Sequence, residues 1–210
     1  MIEEFSTIEG NVCKSLTIKK SKFIANLFCI ESVKEAEEKI QEIKGKYFDA
    51  KHNCIAYRVI ENDNLVEKAS DDGEPSGTAG QPMLNILQKS NLNNVLIVVT
   101  RYFGGILLGT GGLVRAYSDT LKLAIAGAEK IKKCKGEIYE VEITYQEIDN
   151  FKYYCKNNDI NILNIDYLEN IICKIELEEK KKEKIIKDLE TKNVIKNKRC
   201  INKAFITKLC

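Results

Sequence analysis

Residues 70–117, SDDGEPSGTAGQPMLNILQKSNLNNVLIVVTRYFGGILLGTGGLVRAY, hold eight of the chain's twelve glycines and both prolines, together with Arg101 and Arg115. This stretch constrains the fold more than any other. It reads as two glycine-rich loops, each feeding a helix. The first loop covers 71–81 and gives way at Pro82 to a helix carrying Met83, Leu84, Ile86 and Leu87. Proline suits a first helical position, where its missing N–H leaves no bond unmade. The second loop covers 103–112; it follows the continuous apolar run 95–99 and precedes a helix with Leu113, Ala116, Thr120, Leu121 and Ala124 on one face. Glycine lets the backbone come close to a ligand, and a helix start offers unpaired N–H groups at the positive end of its dipole. The two loops are therefore expected to converge on one anion-binding surface, with Arg101, Arg115 and the backbone of Gly104, Gly105, Gly109, Gly111 and Gly112 as its elements.

The same glycines also suit tight turns and close helix–strand packing, and the two uses are compatible. Residues 104–109 match G-x-x-x-x-G, but Thr110 follows where a Walker A loop needs lysine. The run from Gly109 lacks the third glycine of a dinucleotide fingerprint, with Val114 in its place. Asp71, Asp72 and Glu74 put three carboxylates within four residues, enough to hold Mg²⁺ with retained waters, so Mg²⁺ is the one cofactor considered. They could equally serve as turn and cap residues, Asp72-Gly73 being a turn dipeptide, or pair with Arg101 or Arg115. His52 could be drawn with Ser76 or Thr78 and Asp72 as a hydrolytic triad, yet no nucleophile elbow surrounds Ser76. His52 suits hydrogen bonding at a strand start near the loops. Tyr102 and Phe103 could stack on bases or belong to the core.

Formal net charge is +2, and 19 basic against 17 acidic residues precede position 136, with 14 against 14 after it. Neither part is a polycation, so any nucleic-acid contact must come from a local patch. The eight cysteines, Cys13, Cys29, Cys54, Cys134, Cys155, Cys173, Cys200 and Cys210, form no C-x-x-C pair and have a single histidine for company. No metal site follows from that spacing; reduced thiols do. No apolar run approaches the length that crosses a bilayer, and the N-terminus carries acid where a secretory signal carries base. A cytoplasmic protein away from membranes is expected.

Two or three strands are expected over 2–30. Ser32 with Glu35 fits a capping box for a helix through Val33, Ala36, Ile40 and Ile43, stopping at Gly45. Strands over 52–60 and 65–69 flank a turn rich in Asn and Asp. The basic segment 129–136 reads as the end of the helix after the second loop, with a domain boundary nearby, giving domains over 1–131 and 137–210. The second reads as βαββαβ, with strands over 138–145, 160–167, 171–177 and 199–207 and helices marked by Phe151 and Cys155 and by Ile185, Ile186 and Leu189. That order is the ferredoxin-like arrangement, and the whole is α+β. The mixed-charge run EEKKKEK at 178–184 reads as a solvated helix face.

At the two loops the pattern becomes specific. SDDGEPSGTAGQP, VTRYFGG and GTGGLVRAY, with SKFIA at 21–25 and His52, Cys54, Ala56, Tyr57 and Arg58 upstream, resemble the signature of the IMPACT/YigZ family. The resemblance covers about the first 130 residues, and the tail is similar to that of bacterial members. It implies an N-terminal α+β domain like the second domain of a small-subunit ribosomal protein, and a C-terminal domain like a ferredoxin-like domain of elongation factor G. It also implies a role around translation and its regulation, with RNA or a ribosome-associated surface as the ligand and protein partners beside it. It supplies no reaction; a non-enzymatic binding protein is the first expectation, with an enzyme acting on a small phosphorylated or acidic substrate through Asp71, Asp72 and Glu74 and a divalent metal, or a pure protein-interaction module, as the alternatives. One departure weakens an electrostatic site: Leu107 stands where lysine is usual in the family's pattern.

Overall fold

The computed structural model describes residues 2–208, and Cys210 lies outside them. The chain divides into two compact units, Met1–Ile131 and Lys132–Cys210.

In the first unit, β1 (Glu4–Glu9), β2 (Asn11–Ile18), β3 (Ser21–Cys29), α1 (Val33–Lys46), β4 (His52–Glu61), β5 (Asn64–Ser70), α2 (Gly80–Lys89), β6 (Val95–Tyr102) and α3 (Thr110–Ala126) follow in order. An antiparallel sheet runs β2-β3-β6-β4-β5. Its central strands read as apolar runs because both faces are covered. Val95, Ile97 and Val99 of β6 pack with Met83, Leu87, Leu113 and Leu121 of α2 and α3, while Leu96 and Val98 pack with Ala36, Ile40 and Ile43 of α1. Arg101 and Cys54 have the parity of the α2/α3 face, which decides where the site forms.

The α1 cap is as expected on one side only. Ser32 accepts the Glu35 N–H at 3.1 Å, but the Glu35 carboxylate takes the N–H of Glu31 rather than that of Ser32. The helix passes through Gly45 to Lys46, because Gly45 keeps a negative φ there. Likewise α2 starts two residues before Pro82, since Asp71 supplies partners for the preceding N–H groups. Residues 129–136 do not extend α3, which ends at Ala126.

Those residues open β7 (Glu129–Ile143), which pairs over 133–142 with β10 (Asn197–Thr207); that partner strand lies far along the chain, and local composition gave no sign of it. The second unit continues with α4 (Ile148–Asn157), β8 (Asn161–Tyr167), β9 (Ile171–Glu178) and α5 (Lys182–Thr191). Its strands order β8-β9-β7-β10, all antiparallel, the ferredoxin-like pattern. Val141, Ile143, Cys173, Ile175 and Leu177 line the helix-covered face against Phe151, Cys155, Ile186 and Leu189. Seven cysteines are free thiols among the described residues, and no helix there is long and apolar enough to cross a membrane.

Candidate functional site

The site lies on the α2/α3 face of the first unit's sheet, where β6 ends and β4 begins. His52 and Arg101 are register partners there. The first glycine loop folds over this end and is tied down by its own carboxylates. Asp71 accepts the N–H groups of Gly77 at 2.8 Å, Ala79 at 2.9 Å and Gly80 at 2.8 Å, and so closes the start of α2 from nine residues upstream of Gly80. Burial alone would raise its carboxyl; the three N–H groups outweigh that and hold it below the ordinary value. Asp72 accepts the Asn53 N–H at 2.7 Å and the Lys44 ammonium at 2.9 Å. Its carbonyl oxygen lies 2.9 Å from His52 Nδ1, which must carry the proton of that bond, leaving Nε2 as the ring's other polar atom.

Glu74 is the deepest of the three. Its Oε1 accepts from Arg101 Nη1 at 2.7 Å and from the Tyr117 hydroxyl at 2.8 Å, and the Arg101 and Glu74 side chains keep only 7% and 3% of their surface exposed. Of the two readings of Arg101, an open cation for a ligand or a partner for the loop carboxylates, the structure has the second: it is half of a buried ion pair, because its parity on β6 turns it inward. Its guanidinium lies 5.5 Å from the ring centroids of both Phe23 and Phe103, and its Nε has no partner among the described residues. Breaking such a pair on one side leaves a buried charge and costs about 3–5 kcal/mol.

Tyr117 and Cys54 complete the network; both fall within the motifs that carry the family resemblance, but the sequence singled out neither as a site residue. The Cys54 sulfur lies 2.9 Å from the Asp71 carbonyl oxygen and 3.3 Å from the Tyr117 hydroxyl. Burial pushes its thiol up to about 12, so at neutral pH it is a protonated hydrogen-bond donor and no nucleophile. Burial also raises the Tyr117 hydroxyl. Tyr117 sits on the apolar stripe of α3, packed edge-on against Phe23 at 5.2 Å; only the length of its side chain hinted that it reaches a loop 43 residues away. With each carboxylate engaged by the protein, Asp71, Asp72 and Glu74 do not converge on a Mg²⁺ position. Among the described residues no group of three His, Cys, Asp or Glu side chains is arranged for a metal.

Thr78 is buried, its hydroxyl donating to the Pro75 carbonyl at 2.6 Å, and Ser76 is exposed, while His52 Nδ1 meets the carbonyl of Asp72 rather than the carboxylate that a triad would use. Tyr102 is half-buried and donates to Asp49 at 2.7 Å, which lifts its hydroxyl to about 12.

The second loop is of another kind. Gly104 presses on the β2–β3 turn: a Cβ there would stand 2.0 Å from the Lys20 carbonyl carbon, so only glycine fits. Its N–H donates to Ser21 Oγ at 3.2 Å. Gly109, at φ +72° and ψ 167°, adopts a conformation that side chains avoid, and as the N-cap of α3 it offers no capping side chain. Gly105, Gly109, Thr110, Gly111 and Arg115 are exposed and Gly112 is half-buried, so the first turn of α3 opens outward beside an arginine with no ion pair among the described residues. Phe103, Ile106, Leu107 and Val114 are exposed around it, Leu107 at 82%.

The Impact N-terminal domain matches residues 19–125, and a domain of unknown function, DUF1949, matches 141–191. The chain is 38% identical over 180 residues to the IMPACT family member YvyE of Bacillus subtilis, covering 86% of this chain and 82% of that one. It is 35% identical over 161 residues to the IMPACT family member YigZ of Escherichia coli, covering 76% and 79%. A solved structure described as a hypothetical protein superposes with a TM-score of 0.65 at 30% identity, over 96% of this chain and 98% of that one. The chain belongs to the IMPACT family.

Proposed function

We propose that this is a non-enzymatic, cytosolic binding protein acting around translation, whose first unit holds a phosphate-bearing partner, RNA or a ribosome-associated surface, at the start of α3. The family resemblance supports the setting. One observation carries the site: the start of α2 is filled by Asp71, whereas that of α3 has a glycine for a cap and lies open next to exposed Arg115. Unpaired amides and the positive end of the helix dipole favour an anion, and a nearby guanidinium adds a charge-assisted partner. The second unit adds affinity or partner choice.

The test is RNA and ribosome binding across a salt series. Arg115→Glu is expected to weaken binding and to reduce the dependence of log K on log salt by about one unit. A parent protein that binds neither RNA nor ribosomes at low salt sinks the reading. A second reading, a protein-interaction module, is favoured by exposed Phe103, Ile106, Leu107 and Val114. Ribosome pull-down that survives nuclease treatment would favour it. An enzyme using Asp71, Asp72 and Glu74 with Mg²⁺ predicts a Mg²⁺-dependent melting shift that Asp72→Asn abolishes. Their internal partners argue against that reading.

A further inference from the structure

Phe103 is exposed and yet backed by the core. The residue is 55% exposed, while the Arg101 guanidinium, itself paired with Glu74, lies 5.5 Å from its ring centroid and from that of Phe23. The following residue, Gly104, is seated on the Lys20–Ser21 backbone, which anchors the chain next to the ring on the β2–β3 turn.

That turn is unusual for its sequence. Lys19 and Lys20 sit at φ +44° and +66°, in the left-handed region that a two-residue hairpin turn of this hand normally fills with Asn, Asp or Gly. Their side chains are exposed and make no ion pair among the described residues; neither does exposed Lys22, the register partner of Tyr102. Nothing in the packing of the first unit makes use of these ammonium groups. Two unpaired lysines, Lys19 and Lys20, therefore sit on the turn against which Gly104, next to Phe103, is packed, with the open start of α3 at the other end of the same loop; Lys22, paired with Tyr102, has the parity of the opposite sheet face.

We propose that this corner grips a single-stranded polynucleotide, with a base stacked on Phe103 and phosphates met by Lys19 and Lys20. The inference rests on the anion-binding reading above and narrows its ligand. A single strand offers both a free base face and a regular row of phosphates. A duplex offers only the phosphates, its bases being already stacked on each other. A ring already backed on one side loses less freedom when it stacks than one that swings free.

The experiment is fluorescence anisotropy with a labelled 12-nucleotide oligouridylate, beside oligothymidylate, a duplex of the same length and competing inorganic polyphosphate. Single strands, ribo or deoxyribo, are expected to bind more tightly than the duplex at equal salt, because every base offers a face to stack. Phe103→Ala should weaken single-strand binding roughly tenfold while leaving polyphosphate competition unchanged. Lys20→Gly should raise Tm, because glycine accepts that φ, and still weaken both ligands; opposite signs cannot come from a damaged fold. A duplex bound as tightly as the single strand, or a Phe103→Ala variant with unaltered affinity, overturns the stacking proposal. Retained polyphosphate binding would then leave the anion-site reading standing, and loss of both ligands in the parent protein would remove the two together.

Discussion

Both glycine loops lead into a helix on the same face of one sheet, yet the start of α2 is closed and that of α3 is open. The first loop contains carboxylates, and each finds an internal partner: backbone N–H groups for Asp71, Lys44 and Asn53 for Asp72, Arg101 and Tyr117 for Glu74. The second, FGGILLG, has no acidic side chain to fold back, and its exposed residues are glycine and apolar. Glycine richness alone therefore does not make a ligand loop. What matters is whether a nearby acceptor has already taken the amides.

The largest effect expected from breaking this contrast is in the first loop. Arg101→Met leaves Glu74 buried without its cation and should lower unfolding stability by about 3–5 kcal/mol in denaturant titration. A loss under 1 kcal/mol would mean that the pair is not buried in solution. Asp71→Ala removes three charge-assisted bonds at once and should cost about 1–3 kcal/mol. The pH dependence has a definite sign. Because the folded-state pKa of Asp71 is depressed, its contribution is present above the ordinary carboxylate value of about 3.9 and is lost as pH falls through the folded value. Acid melts of the parent below about pH 4 should thus lose stability that Asp71→Asn never had.

In the second loop, Gly109→Ala should destabilise by about 1–3 kcal/mol through backbone strain alone, and calorimetry would show it with no buried contact removed. Arg115→Glu is at the far end of the scale. Stability should change by no more than about 0.5 kcal/mol while anion binding falls. A variant that unfolds readily would mean that Arg115 serves the fold, and the contrast between the loops would blur.

Much of the architecture was legible from spacing. The helical recurrence of Val33, Ala36, Ile40 and Ile43, the run 95–99 and the strand–helix alternation after 137 each correspond to elements of the structure. The boundaries that moved did so because a distant partner intervened: Asp71 lengthened α2 backward, and β10 drew residues 133–136 into a strand. At the site, the residue types were visible but their engagement was not. Asp72-Gly73 showed a turn, and nothing local showed that Glu74 would turn inward to meet Arg101, 27 positions on. Tyr117 and Cys54 were visible only as members of the family motifs, with no role assigned, and Lys19-Lys20 gave no signal until their backbone was seen to be left-handed.

The amino-acid sequence by itself determined the α+β class, the two glycine loops, the lone histidine and the family, because periodicity, turn chemistry and motif spacing are local properties of a chain. Tertiary structure alone decided which charges are paired internally and which stay exposed. Side-chain direction on a strand depends on register, and a carboxylate bonds whatever donor packing brings within about 3 Å of it. That is why one loop of this protein is sealed and the other is left open.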